Sequence, residues 1–305
     1  MSRMTANTAP RARRRGALAD REGLLTWLFL LPSVIYLTAL VLLPVALAVA
    51  LALSGVTAAA PAYRFTGVRH FGSLLGDGAF WRALGDTLLI TGVTTVLVLA
   101  GGQALAHVLA ARFRGRWAVR PLVLLPWVTP AALSATSWRW LLDSPHSPAG
   151  PLLRAAGVAS WHGRPAVALG AVVAVHVWRL TPLAAVVLTA GLAAVPRDVR
   201  DAARVDGAGA VRRALEVTLP LALPSITVAA LLTAVLTGAD AAIGAVLTGP
   251  GGPPRPLAVL AFAQGVDGGA LGRGAAIAVL LLPLPLAGMV GLLRLARRRA
   301  DSEGP

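Results

Sequence analysis

The chain has 305 residues, 56% of them hydrophobic and only 13% charged, with 28 basic residues against 13 acidic and a formal net charge of +15. A soluble domain carries roughly 25% charged residues, so this composition excludes a protein whose main solvent is water. There is no Cys, which excludes disulfides, thiolate catalysis and Cys-based zinc sites. Lys is absent as well, so every basic residue is Arg, a bias read as GC-rich coding rather than chemistry. In a chain this apolar, the positive charge fits loops facing an anionic cytoplasmic leaflet better than it fits nucleic acid.

A hydrocarbon core about 30 Å thick needs about 20 apolar helical residues. Residues 1–23 form a basic tail, with Arg at 3, 11, 13, 14, 15 and 21. Leu24 to Leu53 follows without a charge. It exceeds the roughly 7–15 residues of a signal core, so it is expected to remain as the first span. Thr87 to Ala111 is the second, and Pro121 to Trp138, running on to Leu142, is the third. Pro165 to Val195 is the fourth, with Arg179 near its middle. Leu221 to Ala239, continuing past Asp240 to Leu247, is the fifth, and Gly274 to Leu293 is the sixth. Pro256 to Val266 is too short to span and is expected to be a re-entrant or surface helix. The expected fold is thus an all-α integral membrane domain of six transmembrane helices over 24–295, with a short tail at 296–305.

Arg placement orients these spans. The N-terminal tail, the loop with Arg112, Arg114, Arg116 and Arg120, the loop with Arg197, Arg200, Arg204, Arg212 and Arg213, and the tail with Arg294, Arg297, Arg298 and Arg299 share one side. Arg64, Arg69, Arg82, Arg154, Arg164, Arg255 and Arg273 are all that the other side holds. The positive-inside bias puts both termini in the cytoplasm of a multi-pass membrane protein.

The cytoplasmic segment 196–220 reads PRDVRDAARVDGAGAVRRALEVTLP. Pro196 suits a helix start, and Asp198 and Asp201 suit its early turns. Asp206-Gly207 reads as a stop with Gly in the left-handed conformation. A second helix is expected over about 210–219, ended by Pro220. On pattern alone, a basic amphipathic connector at the headgroups is an equally good reading. Asp201-Ala202-Ala203, three residues, Gly207, nine residues, Val217, one residue and Leu219-Pro220 reproduce the spacing of the E-A-A loop of ABC-importer permeases. Asp201 stands for the usual Glu, Val217 for Ile and Ala214 for the Phe of sugar-type members.

The rest of the chain resembles the same family in its carbohydrate branch. Trp27 to Pro44 resembles the first span, and Phe65 to Phe71 resembles its F-x-G-x-x-N-[YF] entry, with His70 for Asn. Phe80-Trp81 through Asp86-Thr87 is similar to F-W-x-A-L-x-N-T. Leu125-Pro126-Trp127, Trp138-Arg139-Trp140 and Leu247-Thr248 through Gly251-Gly252-Pro253 follow in the family's order.

The resemblance implies a MetI-like permease fold and a bacterial cytoplasmic-membrane location. Asp201, Ala202, Ala203, Asp206, Gly207, Ala208, Val217, Leu219 and Pro220 would form a coupling helix docked on an ATPase subunit dimer. It further implies a second permease subunit, a heterodimer being favoured over a homodimer, and an extracytoplasmic solute-binding protein. No G-x-x-x-x-G-K-[ST] loop is present, so the chain is expected to bind no cofactor itself, with ATP and Mg on the partner, and to be a transport subunit rather than an enzyme. The cargo expected is a sugar or related carbohydrate; a polyol, glycerol phosphate or peptide stays open. An ion-coupled secondary transporter would show repeats that are not visible, and a membrane enzyme would need a catalytic set facing one side.

Arg139, Arg179 and Asp240 fall in or near spans, where a charge costs about 2.5–3.5 kcal/mol on insertion scales. Either Arg is a candidate partner for Asp240, and with Trp138 and Trp178 they are candidates for the translocation path. Interfacial Trp and snorkelling Arg are the structural alternatives. His70, His107, His146, His162 and His176 lack metal-ligand spacing, and His107 and His176 are expected to be hydrogen-bonded inside the bundle. A reporter fused after Pro305 is expected to report a cytoplasmic location; an external signal would overturn this topology.

Overall fold

The computed structural model describes residues 12–111, 114–143, 147–155, 161, 164–207, 209–249 and 252–302. The chain divides into two units, Met1–Ala50 and Leu51–Pro305. The first unit is carried by α1 (Ala12–Ala52), which contains Pro32 and Pro44. Trp27, Phe29, Ile35, Leu42 and Leu47 are all exposed along it. A helix apolar on every side is stable only in lipid or against other helices.

The second unit follows as α2 (Arg69–Leu75), α3 (Gly78–Ala110), α4 (Arg116–Val128), α5 (Ala131–Asp143), α6 (Gly150–Ala155) and α7 (Pro165–Ala194). Next come α8 (Arg197–Val205), α9 (Ala210–Arg213), a π-helical segment Ala214–Thr218, α10 (Leu219–Leu221) and α11 (Leu223–Gly238). The unit closes with α12 (Ala242–Thr248), α13 (Leu257–Phe262), a second π segment Ala263–Asp267, α14 (Leu271–Leu281) and α15 (Pro283–Ser302). Among the described residues, four apolar stretches are long enough to cross a membrane: Trp27–Ala52, Gly78–Ala110, Pro165–Ala194 and Leu271–Gly291. Two bent pairs, α4 with α5 and α11 with α12, bring the number to the expected six if each pair is one span.

The third span therefore differs from the straight helix that hydropathy suggests: it turns by 92° between Val128 and Ala131. Pro130 is the cause. It donates no amide hydrogen, and it forces its predecessor out of the helical region; Thr129 is extended, at φ −66° and ψ 131°. The fifth span bends by 48° around Asp240.

α3, α7 and α11 pack on one another, burying Val98, Ala106, Leu180, Leu188 and Ala229. α12 packs on α5 and α7, burying Ala135, Val172, Val175, Ile243 and Leu247. A third cluster joins Leu74, Phe80, Leu257, Leu260 and Ile277. Leu257–Leu260 are buried, so the short apolar helix expected over 256–266 is a packed insertion and not a surface helix.

Two polar devices on α3 position that insertion. Asp77 caps α3 by accepting the Ala79 amide at 2.8 Å. Its other oxygen accepts from Arg273 Nη2 at 2.6 Å, and Arg273 Nε donates to Gln264 at 2.8 Å. One carboxylate thus starts α3 and ties down α14 and the second π segment. Between two and three turns further along α3, Asp86 accepts the Arg255 amide and Thr87 Oγ1 accepts the Leu257 amide, both at 2.8 Å. These amides at the start of α13 have no intrahelical acceptor.

Gly274 marks a close approach of α14 to α13 and the second π segment. A Cβ there would lie 2.7 Å from Ala261 O and 2.8 Å from Gly265 N, both backbone atoms that cannot swing aside. Gly274→Val is expected to overpack this crossing by about 1–3 kcal/mol and to lower the Tm of the detergent-solubilised protein. An unchanged Tm would show that the two segments separate freely.

Candidate functional site

The segment 196–220 folds as a helix, a tight turn and a second helical stretch. α8 begins at Arg197, immediately after Pro196, with Asp198 in its first turn. Negative charge there is favoured by the exposed amides. The Asp206 amide still donates to Ala202 O at 3.0 Å. The chain then reverses at Gly207, whose φ of +74° is left-handed and costs an L-residue roughly 1–2 kcal/mol. Nothing lies within 4 Å of where a Gly207 Cβ would project. Asp201, Ala202, Asp206 and Gly207 are exposed and Ala203 is half-buried. Val199 and Val205 are exposed too, Val205 by 88%. The result is a helix with charged and apolar side chains on open display beside a glycine turn. Ala208 lies outside the described residues, as does the side chain of Ala214.

The second half departs from the expected single helix ended by Pro220. α9 gives way to the π segment Ala214–Thr218, then α10 carries Pro220 in its first turn, and the break comes at Ala222. The widened π turn lets the proline ring enter where its missing amide hydrogen leaves no bond unmade. Val217 and Pro220 are half-buried, whereas Leu219 is 36% exposed. α8 packs back on the π segment, and an exposed Arg212–Glu216 pair at 2.7 Å staples one turn of it.

The intramembrane candidates are all engaged, but not as expected. Arg139 donates to Val246 O of α12 at 3.1 Å and lies 3.6 Å from Asp143, so its carboxylate partner is Asp143 and not Asp240. Arg179 Nε reaches Thr129 O at 3.4 Å, and its guanidinium sits 5.3 Å from the Trp127 ring centroid. Asp240 accepts the Ile243 amide at 2.8 Å and so starts α12. Neither Arg forms an ion pair with Asp240 among the described residues, because each is committed to a carbonyl at or beside a bent span. Trp138 and Trp178 meet edge to face at 5.9 Å. His176 is buried with Nδ1 at 2.9 Å from Val172 O. His107 makes the same contact to Gln103 O but is exposed, so the expectation of a bundle interior fails for it. Trp161, fully buried, donates to Asp143 at 2.6 Å.

Four residues escaped sequence reasoning as working parts: Asp77, Arg273, Asp86 and Thr87. Asp77-Gly78 ahead of an apolar run is a legible cap signal. The reach from Asp86 and Thr87 to Arg255 and Leu257 has no local signature.

Residues 102–301 match the family model described as binding-protein-dependent transport system inner membrane component. The chain is 32% identical over 288 residues to the trehalose/maltose transport system permease protein MalF of Thermococcus litoralis, covering 93% of this chain and 97% of that protein. It is 31% identical over 305 residues to the sulfoquinovosyl glycerol transport system permease protein SmoG of Agrobacterium fabrum, covering 98% of each. Among solved structures it is similar in fold to a chain of a bacterial alginate ABC transporter in complex with an alginate pentasaccharide-bound periplasmic protein. There the TM-score is 0.70 at 18% identity, over 91% of this chain and 96% of that one.

Because Gly207 is left-handed with open surroundings, Gly207→Ala is expected to cost about 1 kcal/mol locally and to speed amide exchange across 197–213. Unchanged exchange would show that the turn does not need glycine.

Proposed function

The chain belongs to the family of binding-protein-dependent transport system inner membrane components, and we propose that it moves a sugar or related carbohydrate across the cytoplasmic membrane under the drive of a separate ATPase subunit. It is a transmembrane permease of the ABC-importer type. The observation that carries the coupling is the segment 197–220: the E-A-A-type spacing falls on an exposed helix whose reversal at Gly207 leaves room for another protein's backbone. Val199 and Val205, the exposed apolar side chains of α8, supply contact area for a cleft on the partner.

Docked ATPase subunits would clamp α8 and, on closing around ATP, carry it toward the molecular axis. The bundle would exchange two arrangements whose balance is biased by nucleotide on one side and by loaded binding protein on the other. A second permease subunit would complete the pathway. Carbohydrate is supported by the relatives' cargoes and by the chemistry of the interior. Trp138 and Trp178 provide apolar faces for a sugar ring. Both termini would face the cytoplasm.

Gly207→Trp places bulk where the partner must approach. Membrane insertion is expected to be normal, while copurification of the ATPase and ATP-dependent sugar uptake into proteoliposomes are lost. Normal copurification with this variant would remove the loop from the coupling role.

A further inference from the structure

A cleft of about 420 Å³ opens where the end of α3, the first half of α4 and the last part of α7 diverge. Its wall is apolar, formed by Leu109, Leu124, Val186, Ala190 and Ala193, and the Thr189 hydroxyl in it already donates to its own helix at 2.7 Å. Arg120 is the single charged residue of the lining. Its Nη2 donates to Leu109 O at 3.1 Å, so the guanidinium is held at the mouth of the cleft. Nε and Nη1 make no hydrogen bond or ion pair among the described residues. Trp117, three residues earlier and on the same side of α4, is 81% exposed, as expected of an indole at the headgroup level. The stretches 87–142 and 165–197, which supply every wall, contain no Asp or Glu.

We infer that this cleft binds an anionic glycerophospholipid of the cytoplasmic leaflet, one acyl chain lying along α7 and the phosphodiester meeting Arg120. A free phosphate would leave the apolar wall bare, and a neighbouring apolar helix would bury the unneutralised guanidinium. Arg suits the task because its planar fork can keep one arm on Leu109 O and still present two N–H groups to phosphate oxygens. The sidedness rests on the topology in the proposed function; the lipid contact itself does not depend on transport.

The test is native mass spectrometry of the transporter purified from membranes, after exchange into phosphatidylglycerol or phosphatidylcholine of matched acyl chains. The unaltered protein is expected to retain phosphatidylglycerol preferentially. Arg120→Gln should lower that preference about fivefold, the ratio expected for one basic residue at an anionic surface, and Arg120→Lys should keep most of it. Arg114→Gln, outside the cleft, should leave it intact. Ala190→Phe, which fills an exposed position in the wall, should expel the lipid. The proposal falls if Arg120→Gln keeps the original preference. It also falls if Ala190→Phe keeps the lipid and instead strips another permease subunit from the complex. Intact lipid preference with failed sugar uptake would count only against the functional reading.

Discussion

Hydrocarbon offers no partner to a backbone amide or carbonyl, and that constraint organises this bundle. An unbroken helix meets it internally, but α4–α5 and α11–α12 are bent and α13 is inserted between spans. Each irregularity is met by a polar side chain. Arg179 reaches the carbonyl of Thr129 at the sharper bend. Asp240 supplies the acceptor that starts α12, and Arg139 takes the Val246 carbonyl. Asp86 and Thr87 receive the amides ahead of and within α13. A buried group left unpaired costs about 1–3 kcal/mol, comparable to the insertion cost of one charge. Charges in these spans are therefore explained first by the carbonyls and amides they serve, and any contact with cargo comes on top of that service.

The same logic separates the roles of the two polar regions. The interior residues are held by specific backbone partners and so satisfy the groups that the bends leave open. The loop 197–220 is the reverse: Asp201, Ala202, Val205 and Asp206 are exposed, and the left-handed turn at Gly207 is met by residue type rather than by contacts. A rigid set of bends beside an open, adhesive loop suits a subunit whose movements are imposed from outside.

Much of this was legible in the chain. Apolar run length found the spans because lipid imposes a length. The helix–turn–helix of the loop was readable because Asp206-Gly207 is a local signal. The sharp bend at 129–130 was not separated from a straight span, since hydropathy is blind to direction, although Pro130 carries the cause. The candidate pairing of either Arg with Asp240 is not what the structure shows, for a related reason. Asp143 stands four residues on from Arg139 along the same helix, at helix-neighbour spacing, while Asp240 seemed attractive only because it too was an isolated intramembrane charge. The anchoring of 255–257 by Asp86 and Thr87 spans some 170 positions and is a property of the packed bundle alone.

The stretch from Ala210 to Gly238 has a mechanical consequence. Ala222 N donates to Thr218 O, and Ile226 N donates to Ala222 O, so hydrogen bonding runs almost unbroken from the outward loop into α11. Such a path can convey push and twist across the break at Ala222, and the next bend it meets is the one at Asp240. A shove delivered outside the lipid would thus be felt as rotation of α12, the helix braced against α5 and α7 on the far side of that elbow.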